Sequence, residues 1–345
     1  MTKVYVGMSG GVDSSLTAAL LKEQGYDVTG VYMKNWTQDL PGMKCPWADD
    51  LADAKRVAVQ LGIDFKVFDF ENEYKHKVVD YMIQEYKLGR TPNPDIMCNQ
   101  EVKFKLFLET ALEDGADMIA TGHYAQVENG VLKQAVDTNK DQTYFLYRVT
   151  EKALKKTLFP LGEFKKPQVR VMAQDRGLYT AAKKDSQGIC FVGQIGIREF
   201  LSQYVLQIAG PIIDKKTGKI LGQHDGAIFY TIGQRHGLEL GGGLPYYVVG
   251  KDMDKNEVYV TTDLNDDTLW KPELDLINTH WINDVPTEGE FTIRVRHRAS
   301  LATAKLTFEG TTAKLVLDNS ERAVASGQSV VIYSGDVCIG GGIIA

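Results

Sequence analysis

Cysteine is scarce in this chain. Its four copies, Cys45, Cys98, Cys190 and Cys338, stand far apart among 345 residues, and no two form a C-x-x-C pair. That spacing gives no zinc ribbon and no framework of structural disulfides, so no protein metal site is expected. Long apolar runs are missing too: nothing reaches the roughly 20 residues of a membrane-spanning helix, and no membrane partner is expected. The first residues enter the strand-like Val4-Tyr5-Val6 without the pattern of a secretory signal, which predicts a cytoplasmic protein. There is no internal repeat and no low-complexity linker. An excess of positive charge is lacking as well. The formal net charge of −6 argues against indiscriminate coating of nucleic acid. It leaves room for an RNA enzyme whose basic residues gather on one face.

What is present is first an alternation of strand and helix patterns. Strands are predicted over 4–8, 28–33, 65–70 and 117–121. Helices are predicted over 14–24, 49–60 and 73–88, with one more after Cys98. In the second helix Leu51, Ala54, Ala58 and Leu61 form one stripe. This is a doubly wound α/β domain with a parallel sheet. A hairpin signal at Val127-Glu128-Asn129-Gly130-Val131 follows the fourth strand. After a helix near 198–205 the chain turns β-rich. The expected organisation is a catalytic domain over 1–205, a small central β domain over 206–273 and a C-terminal β-barrel over 274–345.

The stretch Ser9-Gly10-Gly11-Val12-Asp13-Ser14-Ser15 lies between the first strand and the first helix. Its amides should converge on the helix N-terminus, an anion site by geometry. Yet no G-x-x-x-x-G-K-[ST] occurs anywhere, and the loop offers hydroxyls and amides but no lysine. Asp13 would repel a phosphate unless a metal or a capping role occupies it. A plain glycine turn with a serine cap is the bland alternative.

Cys98 follows the proline-rigid Thr91-Pro92-Asn93-Pro94 and is expected to start a helix, where the dipole would favour its thiolate. Asp95, three residues earlier, is near enough for proton transfer. Cys190 sits where the polar Lys184-Asp185-Ser186-Gln187 meets an apolar strand. Cys45 and Cys338 read as packing residues. The pairs Lys103/Lys105, Lys165/Lys166 and Lys183/Lys184 read as solvated surface. In Arg294-Val295-Arg296-His297-Arg298, strand alternation would put the three arginines on one face, a candidate for an anionic partner.

The loop SGGVDSS resembles that of the N-type ATP pyrophosphatases, which hold the pyrophosphate end of ATP and cleave between the α- and β-phosphates. SGGVDSS, GRTPNPDIMCN, ATGHY, NKDQTYFLY, KKDSQGICF and GQRHGL follow one another in that order. Together they resemble the tRNA-specific 2-thiouridylase family over nearly the whole chain. The resemblance implies ATP-dependent adenylation of the C2 oxygen of a wobble uridine, in lysine, glutamate and glutamine tRNAs. Sulfur would then be transferred from a persulfide on Cys190, releasing AMP and pyrophosphate. A relay protein or a cysteine desulfurase would load that persulfide.

It further implies Cys98 as the second catalytic thiol, able to close a transient disulfide with Cys190, and Asp95 as acid/base. ATP would contact Gly7, Met8, Ser9, Gly10, Gly11, Val12, Asp13, Ser14, Met33 and Gly122, with Mg²⁺ accompanying it. The tRNA would meet Asn93, Pro94 and Asp95 at the target base, and His123, Lys140, Asp141, Gln142, Arg296, His297 and Gln328 elsewhere. For His123 a hydrogen-bonded loop histidine is the alternative. Two other readings stand beside this one. A different N-type pyrophosphatase would use ammonia or an amino acid as nucleophile. An RNA-binding or nucleotide-sensing protein would carry a dead loop and need neither thiol.

Overall fold

The computed structural model describes residues 1–39, 45–185, 196–241, 243–310 and 312–345. Cys190 therefore lies outside the described residues. The first sheet is built from the buried runs of β1 (Lys3–Gly7) and β2 (Asp27–Lys34), with β4 (Met118–Ala120) beside β1, the partly exposed β3 (Asp64–Asp69) at one edge and the short β7 (Thr157–Leu158) at the other. All pairings are parallel, in the order β3-β2-β1-β4-β7. Strand order reverses between β1 and β4. Open α/β sheets leave a ligand crevice there, beyond the carboxyl ends of the strands.

Helix α1 (Val12–Glu23) and helix α2 (Trp47–Leu61) connect the first strands; in α2 Ala54 and Ala58 of the expected stripe are buried, together with Val57, while Leu51 and Leu61 are half-buried. A longer helical run over 94–113 widens to π-helical geometry across Cys98–Leu106. Such widened turns are rare and frequent at functional sites.

A four-stranded sheet follows, built from Gly210–Asp214, Ile220–His224, Tyr247–Asp252 and Glu257–Thr261. The last six strands run from Trp270–Trp281 to Val337–Ile344. They close on themselves because those two strands also pair with each other, making a six-stranded barrel. The fold is thus a parallel α/β domain followed by two β-rich units, the last a barrel.

The hairpin of β5 (Gln126–Glu128) and β6 (Val131–Lys133) forms as its turn residues predict. It does not stay with its own domain: Leu132 pairs with Cys338 and Lys133 with Val337, so the hairpin extends the barrel sheet. Further ties cross the same boundary. Tyr144 Oη donates to Ser329 O at 3.0 Å, and Thr91 N donates to Ser326 O at 2.8 Å. Arg294 Nη1 reaches Asp141 Oδ2 at 3.1 Å, with both side chains buried.

Burial pushes the Asp141 carboxyl pKa up, against the pull of Ala135 N–H, Thr143 and Arg294. Arg294→Met should therefore cost about 3 kcal/mol in denaturant unfolding, because it strands a buried carboxylate. Proton uptake by Asp141 is the escape. A folded-state pKa raised above 3.8 means that ionisation favours unfolding, so the loss should grow as pH rises above the carboxylate range. A loss that is small and independent of pH would show that the pair is not what joins the units.

Candidate active site

The loop after β1 is shaped by glycine. Gly10 has φ +71°, and a Cβ there would run into the main chain of Asp50. A Cβ on Gly122, just past β4, would stand 2.9 Å from Ser14 N, so only glycine lets the two strand ends close around the helix start. Inside the loop, Ser9 N donates to Ser14 Oγ at 3.1 Å, and Ser15 Oγ donates to Gly11 O at 2.8 Å. The first-turn amides of Val12, Asp13 and Ser14 have no preceding carbonyl in helical register to bond. They make an anion cradle at the positive end of α1. Gly7 and Met8 are buried beneath it, Met8 N–H bonding Val31 O at 2.8 Å. The Met33 methyl group lies over Gly7.

Asp13 does not face a phosphate alone. Lys166, 153 residues away, places Nζ 2.7 and 2.8 Å from its two carboxylate oxygens, and Tyr124 Oη donates to it at 2.9 Å. The expectation that Lys165/Lys166 is solvated surface is corrected for Lys166, which is buried at the first turn of the helix Lys166–Asp175. Lys166 Nζ also lies 2.9 Å from Asp185 Oδ1. Asp185 in turn takes Lys140 Nζ at 2.8 Å and the guanidinium of Arg170. Against the desolvation that would raise it, Lys140 and Lys166 hold the Asp185 carboxyl at about 2. Sequence spacing gave no signal for this cluster: its members come from five separated segments. The loop lacks a lysine in sequence but not in space.

Asn93 caps the helical run that carries the thiol: its Oδ1 accepts from Asp95 N at 3.1 Å and from Ile96 N at 3.3 Å. Pro94 occupies the first helical position. Cys98 is then one turn inside the helix, its N–H turned back to Pro94 O and Asp95 O, and is 3% exposed. The expected dipole stabilisation of its thiolate does not hold, since the helix begins at Pro94. Asp95 takes the first-turn place instead. Burial pushes its carboxyl pKa up and nearby Lys103 draws it down. The helix that carries Cys98 is braced on both strand ends: Phe107 lies against Gly7, and Phe104 packs on His123 with ring centres 5.5 Å apart. Cys45 and Cys338 are packing residues, buried with their thiol pKa values raised.

The residues assigned to RNA divide by exposure. His123 is 9% exposed, with Nδ1 2.7 Å from Thr121 Oγ1 and its ring against Phe104 and Phe159. This hydrogen bond is the one the alternative reading expects. Asp141, 2% exposed, spends its carboxylate on Arg294, Thr143 and Ala135 N, at the joint with the barrel. Gln142 Oε1 accepts from Tyr124 N at 2.8 Å.

The strand of Arg294 ends at that residue. Arg296 is exposed with Nη2 on Arg322 O, and Arg298 turns at φ +63°, so the three arginines do not share a strand face. His297 packs on Phe145 with ring centres 4.5 Å apart and the rings tilted by 44°, and burial lowers its pKa to about 4. Gln328 Oε1 accepts from Ala325 N, in a turn whose Gly327 lies against Arg90 and Thr91, just before Asn93 and Pro94. Lys140, Arg294 and Arg298 line a polar cavity of about 330 Å³ with Thr138, Asn139 and Ala299.

Burial holds the His123 imidazole pKa well below 6.5. A histidine depressed in the folded state binds its proton better when unfolded. Stability should therefore be full above pH 6.5 and fall below it. His123→Phe should flatten the fall between pH 6.5 and 5 by up to about 1.4 kcal/mol per pH unit. An unchanged slope in urea midpoints would contradict the buried placement.

No cluster of three or more metal-ligating side chains occurs among the described residues. Asp13 beside the cradle suits a divalent ion held mainly by phosphates and water, as Mg²⁺ commonly is. No helix among the described residues is long and apolar enough to cross a membrane. Family models match in chain order: a tRNA methyl transferase HUP domain over 2–194, a tRNA methyl transferase PRC-barrel domain over 198–262 and an aminomethyltransferase beta-barrel domain over 271–344. A solved 4-thiouridine synthetase–RNA complex with bound ATP is similar over part of its length, with TM-score 0.40 and 19% identity, covering 59% of this chain and 50% of that one.

The tRNA-specific 2-thiouridylase MnmA of Bacillus mycoides (strain KBAB4) is 47% identical over 351 residues, covering 99% of this chain and 94% of that protein. The tRNA-specific 2-thiouridylase MnmA of Enterococcus faecalis (strain ATCC 700802 / V583) is 47% identical over 356 residues, covering 99% and 95%. With the loop, the capped Asp95–Cys98 turn and the barrel in one chain, similarity at this level and over this length means that the chain belongs to the tRNA-specific 2-thiouridylase family.

Proposed function

We propose that this chain is a cytoplasmic enzyme that converts the wobble uridine of tRNA to 2-thiouridine at the expense of ATP. One observation carries the reading. The helix bearing Asp95 and Cys98 is packed on the strand ends that carry the anion cradle, through Phe107 on Gly7 and Phe104 on His123, and this supports nucleotide and thiol acting at one crevice. The family-model descriptions speak of methyl transfer. The usual methyl donor, a sulfonium nucleoside, carries no phosphate and would leave the cradle unused.

The loop amides, Ser9 and Ser14 would hold the β- and γ-phosphates while the uridine O2 attacks the α-phosphate and pyrophosphate leaves. Mg²⁺, held by Asp13 and the phosphates, would offset charge on the leaving group. The chain's own residues do the rest. Asn93 fixes the turn, and Pro94 walls the target base. The Asp95 carboxylate would accept the N3 proton, which makes O2 a better nucleophile. The base would reach the pocket by leaving its stack. Sulfur from a Cys190 persulfide then bonds C2 as the bond to AMP breaks. Cys98 attacks Cys190 Sγ and breaks its bond to the outer sulfur, which leaves as sulfide if this precedes transfer or as the 2-thio group of the uridine if it follows; the resulting Cys98–Cys190 disulfide needs a dithiol reductant. Exposed Arg296 and the cavity of Lys140, Arg294 and Arg298 would take backbone phosphates.

The test combines purified protein, ATP with Mg²⁺, a persulfide source and unmodified tRNA. Digested RNA is analysed by mass spectrometry for 2-thiouridine, with AMP followed in parallel. Equal yields of both, abolished in Cys190→Ser, are expected. AMP without thiolated RNA would refute the sulfur acceptor or the donor. Methylated RNA from a methyl donor, with both cysteines dispensable, would refute the reaction.

A further inference from the structure

Two anion sites lie on either side of one carboxylate. The first is the loop cradle, where Lys166 Nζ sits on Asp13. The second is the cavity walled by Lys140, Arg294 and Arg298. Arg294 Nε is buried without a hydrogen-bond partner, the mark of a cation with bonding capacity to spare. Between the sites stands Asp185. Its Oδ2 takes Lys140 at 2.8 Å, and its Oδ1 takes Lys166 at 2.9 Å together with Arg170.

We propose that Asp185 is a positioning residue that couples the two sites: an RNA phosphate that takes Lys140 lets Asp185 draw Lys166 off Asp13, which readies the loop for Mg²⁺–ATP. The physical ground is competition. A carboxylate shared among three cations holds each less tightly than it holds two. Lys166 is likewise shared, between Asp13 and Asp185, so what one carboxylate gains the other loses. In the free protein Lys166 neutralises Asp13 and blocks its oxygens. Once drawn toward Asp185, it leaves Asp13 to a divalent ion and brings its ammonium beside the phosphates. The coupling is reciprocal, so bound Mg²⁺–ATP must tighten RNA by the same factor.

The inference rests on the proposed function only in taking both ligands to bind. Its test is calorimetric binding of an α,β-methylene ATP analogue with Mg²⁺ to the full chain, with and without unmodified tRNA. In the unaltered protein tRNA should tighten the analogue by about fivefold or more. The variants should move in opposite directions. Lys140→Gln imitates the RNA-bound state, so the analogue binds more tightly without RNA and gains nothing further from it. Asp185→Asn leaves Lys166 on Asp13, so the analogue binds more weakly and again gains nothing.

A merely structural role would weaken binding in both, and that result would overturn the proposal. So would coupling that persists in Asp185→Asn. If Asp185→Asn fails to fold, Lys140→Gln, at a partly exposed lysine, decides by the sign of its effect. If the unaltered protein binds neither ligand, the proposed function falls and this inference with it. If it binds both without coupling, only this inference falls.

Discussion

Cys98→Ser should stop 2-thiouridine formation, by roughly three orders of magnitude or more, while ATP–pyrophosphate exchange on tRNA continues. Serine keeps the size and the turn, so the cap from Asn93 and the packing of the helix are untouched. It removes the one property the step needs, because a hydroxyl is not ionised near neutrality and does not attack a sulfur–sulfur bond. Burial makes the thiol itself dependent on its neighbours: Cys98 sits one turn inside its helix and is 3% exposed, away from the dipole's positive end. The decisive readout is the split between adenylation and thiolation, measured on one RNA. Thiolation at the unaltered rate would remove Cys98 from the reaction. Loss of both activities with an unchanged denaturation midpoint would move it to the adenylation step.

Asp95→Asn should lower the adenylation rate about 10²- to 10⁴-fold, the range for a positioned proton acceptor. The sign of the pH dependence follows from its surroundings. Burial raises the Asp95 pKa above 3.8, so the carboxylate is a stronger base than a solvated one. As a base it must be ionised. Activity should therefore be lost as pH falls through that raised value, and Asp95→Asn should lack this acid limb. Lys103 opposes the rise, so Lys103→Met should move the limb to higher pH. A residue that only shaped the turn would lower the rate without moving the limb. An acid limb that survives in Asp95→Asn would exclude Asp95 as the base.

Much of this was legible in the sequence because it is local. A loop between a strand and a helix needs only adjacent residues, and Gly10 announces its positive φ by being glycine. Alternating strands and helices imply a parallel sheet, and short β runs after 205 imply small β units. Local reading failed where one residue decides a boundary. Pro94 starts the helix a turn before Cys98, which reverses the dipole argument. Arg294 ends its strand, which scatters the three arginines. Lys166 carries no local mark of its role, since its partner is 153 residues away.

The sequence by itself determined the motifs, their order, the family resemblance and the α/β-then-β architecture, because each depends on neighbours in the chain or on simple periodicity. Only the tertiary structure decided which charges meet. It set Lys166 on Asp13, placed Asp185 between Lys140 and Lys166, buried His123 and Asp141, and tied the β5–β6 hairpin into the barrel. The physical reason is range. Hydrogen-bonding patterns and periodicity act over a few residues, whereas ion pairs and burial depend on distances in space that only the folded chain sets.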